Sequence, residues 1–284
     1  MKMIQIILFT MILITSAALQ AQEGLLIQAY IMDAQNEAIA YANIGVIGTS
    51  IGTISAPDGS FSLYLKDGIN EEQIVRISHL SYDAKEFTIA SLLLLHQTTI
   101  TLKESAIALP PVEVRAIGTN SKTIGHQKTN TSRGTNFSIA KKPNQNLGAA
   151  IGKKFKLGKK EVQLKNFQFY IAQNNFDTVR FRLEIYSLEN GRPHNSIHTQ
   201  EILTEITNAQ KGWVSVDLSP YQIYAKGKIA VAITWIYHSN EGARLQLPIT
   251  IPVIGSTHYY RYGSQNKWKR FRGMSTAMQL EINY

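Results

Sequence analysis

The sequence predicts an all-β protein of two β-sandwich domains joined by a basic, flexible linker. Three observations carry this reading: short apolar runs punctuated by turn residues in the front third, strict two-residue alternation toward the end, and no segment that keeps a 3.6-residue helical period for long. The 284 residues are 44% apolar and 17% charged, a globular composition long enough for two packed domains. The chain contains no cysteine, which excludes a disulfide framework, thiolate metal sites, a thiol nucleophile and a lipid-modified amino-terminal cysteine.

The first element is a leader. Lys2 supplies a short positive region, Ile4 to Ala18 is almost wholly apolar, and Leu19-Gln20-Ala21 places a small residue at the cut before Gln22. Residues 1–21 therefore read as a secretory signal peptide, with export to the periplasm, the outer membrane or the cell surface as the consequence. The apolar run falls short of the ~20 residues that span a bilayer, and no later run approaches that length. No membrane-spanning segment is expected after the signal is removed.

Residues 22–116 form the first β unit. Leu25 to Met32, Ala42 to Ile47, Gly59 to Leu65, Gln73 to Ser78 and Thr98 to Leu102 read as strands, separated by turns such as Pro57-Asp58-Gly59 and Asp67-Gly68. The next segment, 117–146, is rich in Thr, Ser, Asn, Gly and Lys and reads as the linker. From Glu113 to Lys160 there are 11 basic residues and one acidic one, whereas Glu23 to Val112 holds 4 basic and 10 acidic. A solvated spacer or an electrostatic contact with the envelope fits this charge; nucleic acid does not, because Phe137 is the one Phe, Tyr or Trp in 117–146 and no binding motif accompanies it.

Residues 147–284 form the second unit, expected to be jelly-roll-like. Phe181, Leu183 and Ile185 alternate with Arg182 and Glu184, and Met278, Leu280 and Ile282 alternate with Gln279 and Glu281, so each strand has one wet face. Ile229 to Tyr237 is apolar on both faces, which places it in the middle of a sheet.

The stretch from about Leu25 to Ala116 resembles the carboxypeptidase-like regulatory domain of Gram-negative envelope proteins. Asp33, Ile39-Ala40-Tyr41-Ala42, Gly52-Thr53, Asp58-Gly59-Ser60-Phe61 and Ser78 to Tyr82 carry the likeness, while Ser81 and Ala29 stand where that family usually has glycine. The resemblance implies a transthyretin-like sandwich of about seven strands, used as an accessory or interaction module without catalytic residues. The remainder, through FRLEIYSLENGRPHNSI and GWVSVDLSPY, resembles an uncharacterised β-sandwich that accompanies such modules.

Catalytic motifs appear in the wrong surroundings. Gly48-Thr49-Ser50-Ile51-Gly52 satisfies G-x-S-x-G, but a nucleophile elbow needs a strand leading into a helix, and here a second strand follows. His198 and Glu201 match an H-x-x-E zinc pair, yet on or beside a short strand an offset of three sends the side chains to opposite faces. His194 lies four residues before His198 beside Gly191 and Pro193, in a loop. No catalytic residue, metal site or cofactor is expected.

One ligand surface is suggested by Tyr259, Tyr260, Arg261 and Tyr262 with Trp268, Lys269 and Phe271, around the polar turn Gly263-Ser264-Gln265-Asn266. Rings on one sheet face could stack on sugars while Arg261 or Gln265 binds hydroxyls; alternatively these are ordinary core and hairpin pairs. The sequence thus points to a noncatalytic envelope protein with a protein partner, and alternatively to a carbohydrate-binding accessory protein that engages polysaccharide through Tyr259 to Phe271.

Overall fold

The computed structural model describes residues 24–66, 68–94, 99–105, 118, 120–139, 143–239 and 242–284. The expected signal peptide lies outside the described residues, as do residues 106–117 of the front unit and its junction. The fold is all-β. The front unit runs through β1 (Leu25–Met32), β2 (Asn43–Val46), β3 (Gly52–Ile54), β4 (Ser60–Leu65), β5 (Ile74–His79), β6 (Tyr82–Thr88), a six-residue helix α1 (Ile89–Leu94) and β7 (Thr99–Thr101).

Two sheets, β4-β1-β7 and β3-β2-β5-β6, face each other. Alternation decides what lies between them: Ile27, Ile31, Phe61 and Leu63 from one sheet meet Ile44, Val46, Val75 and Ile77 from the other. Local polar groups fix the turns. The Asp33 carboxylate accepts the Gln35 and Glu37 N–H groups at 2.8 Å each. At the Asp58-Gly59 turn, Gly59 has φ +78°, and a Cβ there would stand 2.5 Å from the Ile31 carbonyl oxygen.

The second unit begins earlier than the sequence suggests. β8 (Ser121–His126) and β9 (Arg133–Asn136) come first, followed by β10 (Ala150–Ile171), β11 (Gln173–Asn174), β12 (Val179–Glu189), β13 (Arg192–Ser196) and β14 (Ile202–Ile206). Then come β15 (Gly212–Asp217), β16 (Tyr224–His238), β17 (Leu245–Thr250), β18 (Thr257–Arg261), β19 (Lys269–Arg272), β20 (Ser275–Thr276) and β21 (Met278–Asn283).

A ten-stranded sheet has the path β13-β12-β16-β10-β18-β19, with β14 on β12, β15 and β21 on β10, and β8 on β21. A small sheet of β11, β17, β20 and β9 covers part of it. β10 is 22 residues long and serves two pairs of partners in succession. Before Gly158, where φ is +105°, it lies between β16 and β18; beyond the irregular stretch that follows, it lies between β15 and β21. Between the sheets Phe137, Phe155, Phe167, Phe169, Phe176, Phe181 and Trp235 form an aromatic core.

The expected flexible linker over 117–146 needs correction. β8 pairs with β21 from Ser121↔Asn283 to Met278↔His126, and β9 pairs with β17. Phe137 is fully buried, with its ring centroid 5.0 Å from that of Phe181. Both strands lie at sheet margins, where side chains stay wet and main-chain pairing, invisible to a hydropathy pattern, holds them.

Polar residues also enter this core. Lys153 faces inward between Ile151 and Phe155, its ammonium donating to Ser256 Oγ at 3.0 Å and to Ser275 Oγ. Burial, with Lys154 adding repulsion, pushes Lys153 down to about 8. His258, directly opposite Lys153 in the ladder, is pushed by burial and then by Lys153 down to about 4.

Two outcomes follow from this packing. Phe137→Ala should cost about 3–5 kcal/mol by chemical denaturation, since it leaves a ring-sized hole between the sheets. A free spacer would make it neutral. His258 is depressed in the folded protein, so the unfolded chain binds the extra proton and stability falls as pH drops from 6.5 toward 4. The slope from this group approaches about 1.4 kcal/mol per pH unit. Denaturation of His258→Leu over the same range should show a shallower acid loss; an identical slope would contradict the assignment.

Candidate functional site

β18 carries most of the suggested ligand surface, and its alternation divides that surface in two. Tyr260 points into the main core: its hydroxyl donates to the Asn136 carbonyl at 2.7 Å and accepts from Asn146 Nδ2 at 3.2 Å. Tyr262 follows on the same side, with ring centroids 4.2 Å apart. Tyr259 and Arg261 point the other way. Tyr259 is fully buried under Trp268 and donates to the Gly191 carbonyl at 2.9 Å; the Arg261 guanidinium lies 4.9 Å over the Trp268 ring. Trp268 itself stands edge-on to Tyr186.

The suggested single ligand plane is therefore corrected: Tyr259, Tyr260, Arg261, Tyr262 and Trp268 do not share one exposed face. Burial pushes both the Tyr259 and Tyr260 hydroxyls up. Of this cluster, Phe271 presents an exposed ring.

The polar turn between those aromatics binds the front module. Ser264 Oγ donates to the Ile44 carbonyl at 2.5 Å, the Gln265 carbonyl accepts the Gly48 N–H at 3.0 Å, and Gln265 Nε2 donates to Ser78 Oγ at 2.8 Å. Gly45 and Gly52 permit this approach, because a Cβ on either would stand within about 3 Å of Ser264 Oγ. The Gly48 to Gly52 stretch, which mimicked a hydrolase elbow, is the receiving hairpin.

Beside the turn lies a buried ionic junction. Arg182 on β12 donates to the Tyr41 carbonyl at 2.9 Å, Asn43 Oδ1 at 2.9 Å and Glu201 Oε1 at 3.2 Å. Glu184 stands 3.8 Å from Arg182 and 3.7 Å from Arg261, and accepts the Thr234 hydroxyl. Burial pushes the Glu184 carboxyl up, but Arg261, Arg182, Thr234 and Tyr186 outweigh it and hold it below the usual range. Arg180 binds the Tyr41 hydroxyl and Glu205. An apolar contact of Tyr41 and Ile54 with Ile236 completes the docking.

His79 of the front module lies 3.8 Å from Glu201 and is held low by burial against the pull of that carboxylate. The suspected H-x-x-E pair thus has other employment: Glu201 faces Arg182 and His79, while His198 is buried with Nδ1 2.7 Å from the Gln200 carbonyl. His198 is not the exposed loop residue its neighbours suggest. Among the described residues no group of three metal-ligating side chains converges.

A cleft of about 750 Å³ opens next to the docking surface. Its front-module wall includes Gln28 and Tyr30 of β1 and Ser60 and Ser62 of β4; Gln145, Leu147 and His238 face them from the second unit. Tyr30 is 46% exposed, and among the described residues β4 pairs with β1 alone. Among the described residues the lining holds one histidine and no carboxylate, arginine or lysine. Sequence reasoning missed both cleft and junction, because Arg180, Arg182 and Glu184 resemble any solvated strand face. The available signal was the second apolar face of β16, which demanded a cover.

Solved structures offer distant likeness. The chain is similar to a clostridial cysteine protease after propeptide cleavage, at 10% identity and a TM-score of 0.41, over 91% of this chain and 70% of that one. It is similar to the cysteine protease and lectin-like domains of a surface-layer-associated protein of Clostridium difficile, at 13% identity and a TM-score of 0.37, over 48% of this chain. That match spans 32% of the other protein. The Gx strain of infectious bursal disease virus matches at 10% identity and a TM-score of 0.30, over 91% of this chain and 55% of that one. No curated protein matches the chain. Residues 27–114 match the family model of the CarboxypepD_reg-like domain, as the resemblance of that stretch implies.

Proposed function

We propose that the protein is a noncatalytic, exported envelope protein whose two modules act as one binding body, with a protein partner seated in the cleft between them. One observation carries the reading: the cleft walls come from both modules, so a complete site exists only when they are docked. The lining chemistry supports binding over catalysis. His238 turns Nδ1 to the Ser239 carbonyl at 2.7 Å, and among the described residues no acid stands with it in the cleft to complete an acid–base pair. β4 is the terminal strand of its sheet among the described residues, and its far edge supplies main-chain groups of the kind an extended partner segment pairs with. Export is supported by the leader-like residues 1–21, and no helix among the described residues is long and apolar enough to cross a membrane. The carbohydrate alternative, placed on Tyr259 to Phe271, is weakened by the packing of those rings.

Docking rests on Arg182. Arg182→Met should destabilise the protein by about 3–5 kcal/mol, because Glu184 and Glu201 lose their shared buried counter-charge. Denaturation curves that match the unaltered protein would show that the junction carries no weight. The cleft is tested by Ser62→Trp, an exposed position where stability should hold within about 0.5 kcal/mol. A partner retained from envelope extract by the full mature chain should be lost with Ser62→Trp. Equal retention by both proteins would remove the cleft from the account.

A further inference from the structure

The second unit has another face, on the β15-β10-β21-β8 side of the large sheet, built from amides and hydroxyls with an aromatic pair at one end. Tyr170 stands opposite Trp213, and in the next row Gln168 lies between Ser215 and Gln279. Trp213 and Ser215 are exposed, and Tyr170, Gln168 and Gln279 are half-buried. The Trp213 and Tyr170 rings meet edge-on, with centroids 5.5 Å apart and planes at 78°, and Trp213 keeps 37% of its surface open to solvent.

Each feature suits a sugar. An exposed indole offers a flat apolar plate to the C–H face of a pyranose ring. The neighbouring amides each provide donors and an acceptor. Strands set about 4.8 Å apart present those groups at roughly the width of one ring, so a glycan lying across the strands meets one row after another. Charge narrows the class. The chain has a net charge of +9, yet the next row of this face carries the carboxylates Asp217 and Glu281, with Lys165 near Asp217, so the row is of mixed sign and forms no basic patch. A polyanion such as nucleic acid or an anionic lipid surface wants a basic patch, which this row does not offer. A protein partner would seek a central apolar anchor, whereas this aromatic pair sits at the end of an amide-rich row.

We infer that this face binds an uncharged polysaccharide, with Trp213 and Tyr170 as the stacking platform and Gln168 and Gln279 as hydroxyl ligands. The site is separate from the inter-module cleft and stands or falls independently of it. Affinity electrophoresis of the full mature chain through native gels cast with xylan, mannan or dextran is the test. At least one gel should retard the protein, and Trp213→Ala and Tyr170→Ala should each weaken that retardation about tenfold. Gln168→Ala removes no ring packing and should also weaken retardation, so it supplies the readout if an aromatic variant loses stability. Tyr259→Phe and Ser62→Trp should migrate like the unaltered chain. Failure of all three gels to retard the protein, or unchanged retardation of both Trp213→Ala and Gln168→Ala, would overturn the inference.

Discussion

A buried guanidinium joins the two halves of the molecule. Arg182 is 3% exposed, and such a charge is costly unless every donor is used. Its partners come from both modules: the Tyr41 carbonyl and Asn43 amide oxygen on one side, Glu201 and Glu184 on the other. Tyr41 holds a positive φ of 58°, unusual for a bulky residue, and its carbonyl, hydroxyl and ring all serve the junction. The arrangement is directional. Apolar contact between Tyr41, Ile54 and Ile236 brings the surfaces together, while the fixed fork of the guanidinium selects one orientation. The cleft depends on that orientation, since its opposing walls belong to different modules.

Much of this was legible in the sequence because alternation reports a sheet with one dry face. β12 and β21 fall into that class, and so does the front sandwich, whose turns at Asp33 and Gly59 have unambiguous local chemistry. β16 was equally readable as central, and it lies between β12 and β10. Its second apolar face had no identified cover. Ala230 and Ala232 lie under the Tyr186, Tyr259 and Trp268 rings, and Ile236 lies under the front module.

The misreadings have a common physical cause: pairing between distant segments leaves no trace in a local pattern. β8 and β9 are polar margin strands held by main-chain bonds, so 117–146 looks like a spacer. The aromatic run from Tyr259 to Phe271 looks like a platform until alternation sends Tyr260 inward and Tyr259 under Trp268. The Gly263 to Asn266 turn reads as solvent-exposed, yet Ser264 and Gln265 are spent on the front module.

The absence of cysteine makes the central claim, a single fixed arrangement of the two modules, directly measurable. Cysteines introduced at the exposed positions Lys85 on β6 and Lys226 on β16 would be the only spin-label sites, one on each module. Dipolar spectroscopy on the doubly labelled chain should give one narrow distance distribution. A broad or multimodal distribution would contradict rigid docking through Arg182 and remove the physical basis for a shared cleft.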